Sequence, residues 1–498
     1  WLLDQGAVGT QAAKRNAEVI SDDIAPPSPL ADITLGRLLL RNGLITFDDL
    51  RAGRHEALSD VTMSLDWPST AEAATGTGSF TLRGGTVEFN GSIGAPLRLL
   101  AGGSSSLRLA LASTLLRASF AGNALRLDGT QIDGEATIST PSVQRLVEWM
   151  GTPMDTGSVF GAGSITGKMN WIGSSVSFAN ATMVLDGNTA EGAIAVSFGG
   201  GRVGAQGTLA LEKLDLTPYL ETFQAALVGG GFWPITPIRL PLAGVGDIDL
   251  RLSTDQVVMG RTSMGRAAVA ATAKDGKLTI NVGDAQLYGG HAEATLTAEM
   301  IDGALSGTAR VKVDHIPARI ALSDILGLTA LDATGSATID LTASGRSWGE
   351  FAGSVSGGAT VLLADGILDS VDVAKVPAVL AAGAKDADLS GSTSFATATG
   401  TLKVADGTVS SEDFHAEGET FAIDAAGKAR LFNPTLEARG VLSLPATDGS
   451  AAAPPNEFPF MVTGSWTAPV FLPDLGRPLQ RGDKQPADAD MPPESPRG

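Results

Sequence analysis

Gly161, Gly167 and Lys168 come closest to a phosphate-binding loop, in which glycine amides cradle phosphate and a lysine neutralises it. The glycines are one residue too far apart, and Met169 stands where a Ser or Thr should hold magnesium. A glycine-rich strand turn accounts for these residues better. His55, His291, His315 and His415 are widely scattered, with no His or carboxylate at zinc-ligand spacing, and read as exposed strand histidines. Asp247 with Asp249, and Glu417 with Glu419, each share one face of a strand, the first pair beside Arg251. Paired acids of this kind serve glycosidases across a cleft, but these fall on the wet face of amphipathic strands and read as solvated charge. Ser-x-x-Lys and calcium-binding glycine repeats do not occur. The expectation is therefore a protein with no catalytic residue, no cofactor and no metal.

The elements behind those residues are strands. In the stretch from Gly335 to Val373, Ala337, Ile339, Leu341 and Ala343 are apolar and alternate with Ser336, Thr338, Asp340, Thr342 and Ser344. A period of two puts these sets on opposite faces, one dry and one wet. Gly345 breaks the strand, and Ser347 with Glu350 has capping-box spacing, so 347–354 reads as a short helix. A second strand follows over about 358–364, and Asp365-Gly366 is expected to close it with a hairpin turn. The same alternation sets Ile248, Leu250 and Leu252 against Asp247, Asp249 and Arg251. It sets Ile280 against Thr279 and Asn281, and Leu296 against Thr295.

Composition suits many short strands better than a few large aromatic cores. The 498 residues include 62 Gly, while aromatics make up 5% and Tyr only 2 residues. A net charge of −19 with no basic run argues against nucleic acid. The absence of cysteine removes disulfides, thiolate metal sites and cysteine nucleophiles. No apolar run approaches the ~18 residues of a membrane-spanning helix. The chain begins at Trp1, as expected of a fragment or processed form, and that start excludes no upstream signal or anchor.

In order, residues 1–33 read as a lead-in, with a proline-containing linker at 22–29. A first β-rich module spans 34–235. Its helices are expected after Thr140-Pro141, with Thr140 as the cap, and over 217–228. The proline-rich segment 234–241 marks the internal boundary, and a second β-rich module covers 236–475 with short helices at 318–326 and 371–382. Residues 476–498 read as a disordered tail. Eight Asp-Gly and two Asn-Gly pairs punctuate the strands and predict a mainly antiparallel meander.

The order of weak motifs in the second module resembles the conserved C-terminal region of the AsmA family of bacterial envelope proteins. It runs from "KDGKLTINVGDAQLYGGHAEATL" (274–296) through "ASGRSW", "SVSGGATV" and "ADGIL" to "FAIDAAGKARLFNPTLEARGVL" (421–442) and "VTGSWTAPVFLPD" (462–474). The likeness is good over 237–475 and looser over 34–235. The fold expected is mainly β: an elongated, mostly antiparallel twisted sheet rolled into a groove or open barrel-like trough, with a few short covering amphipathic helices. The resemblance implies a non-enzymatic role in outer-membrane biogenesis, carrying or shielding phospholipid acyl chains between the membranes. It also implies a periplasmic location, with an inner-membrane anchor upstream of Trp1. In that reading Ile248, Leu250, Ile280, Leu296, Ile339 and Leu341 line the groove. From pattern alone the dry face could equally close into a sandwich or barrel core. A structural or adhesive β-solenoid is the main alternative; it would need a fixed rung length, which the chain lacks. A polysaccharide-active β-helix is a further one, and would need acids and aromatics gathered on one face.

Overall fold

The computed structural model describes residues 33–49, 54–126, 129–151, 161–199, 202–219, 237–238, 245–259, 262–326, 329–369, 371–382, 389–430, 435–445, 455–465 and 468–474. The lead-in before Ile33, most of the helix expected over 217–228, most of the proline-rich segment and the 476–498 tail lie outside them. Twenty-five strands and a few short helices make up the described chain, which is mainly β as alternation predicted. It divides into two compact units, Trp1–Ile316 with Ile339–Val355, and Pro317–Thr338 with Ser356–Gly498.

The first unit begins with long strands, β1 (Thr34–Asp49) and β2 (Arg54–Ser69), then β3 (Ala74–Leu82) and β4 (Gly85–Ile93). A one-turn helix α1 (Pro96–Leu100) leads to β5 (Ser104–Ala112), β6 (Arg117–Arg126) and β7 (Thr130–Thr140). Helix α2 (Val143–Trp149) precedes β8 (Gly163–Ile172), β9 (Ser175–Leu185), β10 (Asn188–Gly199) and β11 (Arg202–Asp215). Each of these strands pairs antiparallel with the next.

The meander is then interrupted. Strand β12 (Val245–Met259) runs parallel to β11, an exception within the mainly antiparallel meander that the turns predict. Parallel neighbours need a crossover rather than a hairpin, and the segment between Asp215 and Val245 supplies its length. Where that segment is described, Ile238 donates its amide to the Arg346 carbonyl at 2.7 Å. The expected module boundary at 234–241 thus falls between two strands that pair along most of their length. Antiparallel pairing resumes through β14 (Ala267–Lys274), β15 (Lys277–Leu287), β16 (Gly290–Ile301) and β17 (Ala304–Pro317), with β13 (Thr262–Met264) a short addition to β12.

Strand β18 (Leu331–Gly345) contributes residues 339–345 to this unit, followed by helix α4 (Trp348–Gly353). The α4 cap is the predicted one: Ser347 Oγ accepts from the Glu350 amide at 3.2 Å, and Glu350 Oε2 accepts from the Arg346 amide at 2.8 Å. Helix α2 differs from expectation. Its cap is Ser142, whose Oγ accepts from the Arg145 amide, because the Thr140 hydroxyl is already engaged with the Ser142 backbone.

The second unit holds helix α3 (Ala318–Leu326), the start of β18, and β19 (Ser356–Asp369). A 3-10 turn (Val373–Lys375) and helix α5 (Val376–Ala382) lead to β20 (Ser392–Ala405), β21 (Thr408–Glu417) and β22 (Ala422–Arg430). Strands β23 (Thr435–Leu444), β24 (Asn456–Ser465) and β25 (Ala468–Pro473) complete it. From β19 to β25 the strands pair antiparallel in sequence. Helices α3 and α5 close over one face, and Val376, Phe395, Phe421, Leu442 and Phe460 form a buried core beneath them. Leu442 is 1% exposed. Here the dry face is sealed within the protein.

Tight type I′ turns sit where Asp186-Gly187, Asp275-Gly276, Asp302-Gly303 and Asp406-Gly407 place both residues at positive φ. Asp365-Gly366 does not turn the chain. It lies inside β19, where the Phe395 ring rests against Gly366. Hairpins at Arg83-Gly84 and Tyr288-Gly289 use the same geometry, because glycine in the second position relieves most of its cost and the first tolerates other residues.

Candidate functional site

The feature that distinguishes the first unit is a continuous apolar face. Directly opposed residues on paired strands point the same way, so the register can be followed from strand to strand. At the β1 end, Leu40 faces Met63, Met63 faces Gly78, and Gly78 faces Phe89. Leu111, Ala118 and Ile138 continue the row to Ile165. Met183, Ala190 and Leu211 carry it to Thr254. Ala267, Ala285 and Ala292 then bring it to Val313 on β17. Every position except Thr254 is apolar or glycine. Thr254 is itself satisfied, donating to the Gln256 carbonyl at 2.8 Å. The fifteen steps of this row span about 70 Å along the surface at ~4.8 Å per strand.

Four of the expected lining residues lie in neighbouring rows of the same face. Leu250 faces Ala271, Ala271 faces Ile280, Ile280 faces Leu296, and Leu296 faces Ala309. One row over, Ile248 faces Ala273, which faces Leu278. Ile339 and Leu341 occupy the half-buried side of β18, while Asp340 between them points the other way and pairs with Arg310 of β17 at 2.6 Å. The structure thus brings Ile248, Leu250, Ile280 and Leu296 into adjoining rows, and sets Ile339 and Leu341 on their strand's apolar side.

Among the described residues this face is only partly covered. Its buried residues form separate small clusters, around Met169 and Phe178, around Leu209 and Leu211, and around Val257 and Ala285. Between them large side chains stay open to solvent: Leu296 is 38% and Trp171 44% exposed. Among the described residues, what lies over it is short. A Cβ on Gly307 would sit 2.9 Å from the Phe351 ring, so α4 rests on the face at β17. Ser105, the polar residue opposite Ala124 at β5, accepts the Ala95 amide at 2.8 Å and so fixes the start of α1.

Helix α2 measures the curvature. Val143 packs on Gly163 of β8, and the Trp149 indole N–H donates to the Leu82 carbonyl at the β3–β4 hairpin, 3.0 Å away. Four strand steps separate β4 from β8, about 19 Å on a flat sheet. A helix of 7 residues advances only about 10 Å. The sheet must therefore roll toward its apolar side for one short helix to touch both.

The opposite face is polar. Asp249 faces Thr272, then Thr279, Thr297 and Thr308 follow in register. Asp249 and Arg251 sit here 3.8 Å apart, both well exposed. Gly167, Lys168 and Met169 are strand residues of β8, and the Gly161 amide donates to Asp186 Oδ1 at 2.8 Å, so no phosphate loop forms. Three histidines stand beside aspartates: His315 beside its chain neighbour Asp314 at 2.9 Å, and His415 with Asp424 at 2.8 Å and His291 with Asp284 at 3.8 Å, two pairs that spacing alone did not reveal. His415 and Asp424 are directly opposed across β21 and β22, a pairing legible only once the register is known. Among the described residues no cluster of three or more potential metal ligands occurs, and no helix is long and apolar enough to cross a membrane.

Beside this face a polar knot secures the turn after β9. Asp186 also accepts the Tyr219 hydroxyl at 2.7 Å, and Asn188 exchanges two hydrogen bonds with the Asp215 backbone. Burial, and then the neighbouring Asp186, push the Tyr219 phenol well above its usual range.

Comparison with curated proteins returns no match. The AsmA family model matches residues 211–414, from β11 into β21. That span begins earlier and ends earlier than the 237–475 stretch of best likeness in the sequence.

Proposed function

Residues 211–414 belong to the AsmA family, and from that premise we propose that this chain is a non-enzymatic protein of the bacterial envelope that carries or shields phospholipid acyl chains. The observation that supports this most is the apolar row of the first unit, broken by Thr254 alone, rolled inward and partly exposed. An acyl chain needs a long, smooth, dry surface with no hydrogen-bonding demand. Ala, Val, Leu and Ile supply one, and polar groups that intrude, Ser105 and Thr254 among them, are spent on the backbone. Headgroups would remain in water at the trough's open side. The setting is the periplasm, with a contribution to outer-membrane assembly, and attachment to the inner membrane through a segment upstream of Trp1.

Mass spectrometry of organic extracts from the purified protein tests the proposal directly. The parent is expected to carry phospholipid. Ile280→Asp and Leu296→Asp should remain folded, because a carboxylate on an unfilled trough stays hydrated, and should carry much less lipid. Gross unfolding of both would point to a sealed core at these positions, and unchanged lipid in folded variants would remove this face from the pathway.

A further inference from the structure

Strand β1 is apolar on both faces, which the trough does not explain. Leu38 and Leu40 share the trough side with Met63 and Leu65 of β2. Leu35 and Leu39 lie on the opposite side, where Leu39 heads a row that continues Ser64, Thr77 and Asn90. On that polar face Leu39 has no apolar neighbour in register and is 55% exposed, and beyond the Asn42-Gly43 bulge Leu44 is 68% exposed. Arg37 and Arg41 alternate with the outward leucines, both exposed, and Arg37 stands opposite Asp66 of β2. Residues 34–46 contain no acid, the acids of β1 being Asp48 and Asp49 at its far end.

Among the described residues the outer edge of β1 is unpaired, its partner there being β2 alone. A strand of 16 residues with an unpaired, leucine-rich edge invites association unless something covers it. The other terminal strand, β25, shows the usual protection, being 6 residues long and carrying Pro469 and Pro473.

We propose that β1 is a docking surface for an anionic lipid bilayer, with Leu35, Leu39 and Leu44 entering the acyl boundary and Arg37 and Arg41 meeting lipid phosphates. The charges favour this occupant. Basic residues interleaved with exposed leucines are what an anionic interface selects, and long arginine side chains reach from the apolar boundary to the headgroups. At headgroup depth the free backbone edge stays hydrated, so nothing needs to span the membrane. A second copy fits less well: the antiparallel register that sets Leu39 on its equivalent also sets Arg37 against Arg41, like charge on like. The inference extends the lipid-carrying reading to the point where the protein meets a membrane, and its test needs no lipid in the trough.

The test is flotation of the full chain with vesicles of phosphatidylcholine alone and of an equimolar mixture with phosphatidylglycerol. Binding to the mixed vesicles is expected, weakening with salt, with little binding to the neutral ones. Arg37→Gln with Arg41→Gln, and separately Leu35→Ser with Leu39→Ser, should each lower binding roughly tenfold or more while melting as the parent does, since all four side chains are exposed. Arg117→Gln, on another exposed strand position, should bind as the parent. Equal losses in all three variants, or none in the first two, would overturn the assignment. So would sedimentation showing a parent dimer that Leu35→Ser with Leu39→Ser converts to monomer without affecting flotation. A protein that floats normally but carries no extractable lipid would leave this inference standing and remove the carrier reading.

Discussion

The indole N–H of Trp149 donates to the carbonyl oxygen of Leu82 at 3.0 Å, across 67 positions of sequence. This bond holds α2 over the rolled sheet. Trp149→Phe keeps most of the ring contact and removes the donor, which is expected to cost about 1 kcal/mol. Hydrogen exchange should accelerate for the amides of 145–150 and leave those of β15 and β16 as they were. Unchanged exchange in α2 would mean that the helix is held by other contacts and that the bond adds nothing.

How much of this was legible in the sequence follows from the range of the forces involved. Period-two alternation placed Ile339 and Leu341 on the dry side of β18 and Asp340 on the wet side, because strand geometry alone fixes that choice. The Ser347–Glu350 cap was equally local. Curvature was not, since it depends on Trp149 meeting Leu82. The parallel β11–β12 pair was hidden for a similar reason: no turn motif marks a crossover. Nor could alternation separate an open face from a sealed one. Leu296 and Leu442 look alike in sequence, and only the helices packed over the second unit make one a core residue.

That difference gives a paired prediction. Leu442 is 1% exposed within a closed core, so Leu442→Ala should destabilise the second unit by about 2–5 kcal/mol in denaturant unfolding. Leu296, 38% exposed, already meets water, so Leu296→Ala should cost under about 1 kcal/mol. Comparable losses at both positions would mean that the trough face is packed against something in solution.

Asp413 governs part of the acid response. Its Oδ1 accepts the Thr401 amide at 2.8 Å, at the register shift where β20 and β21 leave that amide unpaired. This bond, from the Thr401 backbone first, lowers the carboxyl below its ordinary value of 3.8. A depressed folded pKa stabilises above the unfolded value and is lost as pH falls through the folded one. The second unit should therefore lose stability below pH about 4. Asp413→Asn should be less stable than the parent near neutrality and should show a shallower loss on acidification. Parallel pH profiles would show that the carboxylate charge is not what the Thr401 amide requires.

Tyr219 makes the opposite case at high pH. Burial is the main reason its phenol ionises late, and the hydrogen bond to Asp186 at 2.7 Å, with that carboxylate's charge, adds to it. A raised folded pKa means that the neutral phenol stabilises fully below the ordinary value of 10.0 and that this contribution fades only as pH climbs through the raised one. The chain has 2 tyrosines, so Tyr288→Phe isolates the signal. In that variant the phenolate absorbance near 295 nm should stay flat through the ordinary tyrosine range and rise only in stronger base, together with loss of structure at the β9–β10 turn. Asp186→Asn should bring the ionisation partly back toward 10, since the charge goes and the burial remains. A normal titration in Tyr288→Phe would mean that Tyr219 is open to water and that the knot around Asp186 does not hold the crossover to β11.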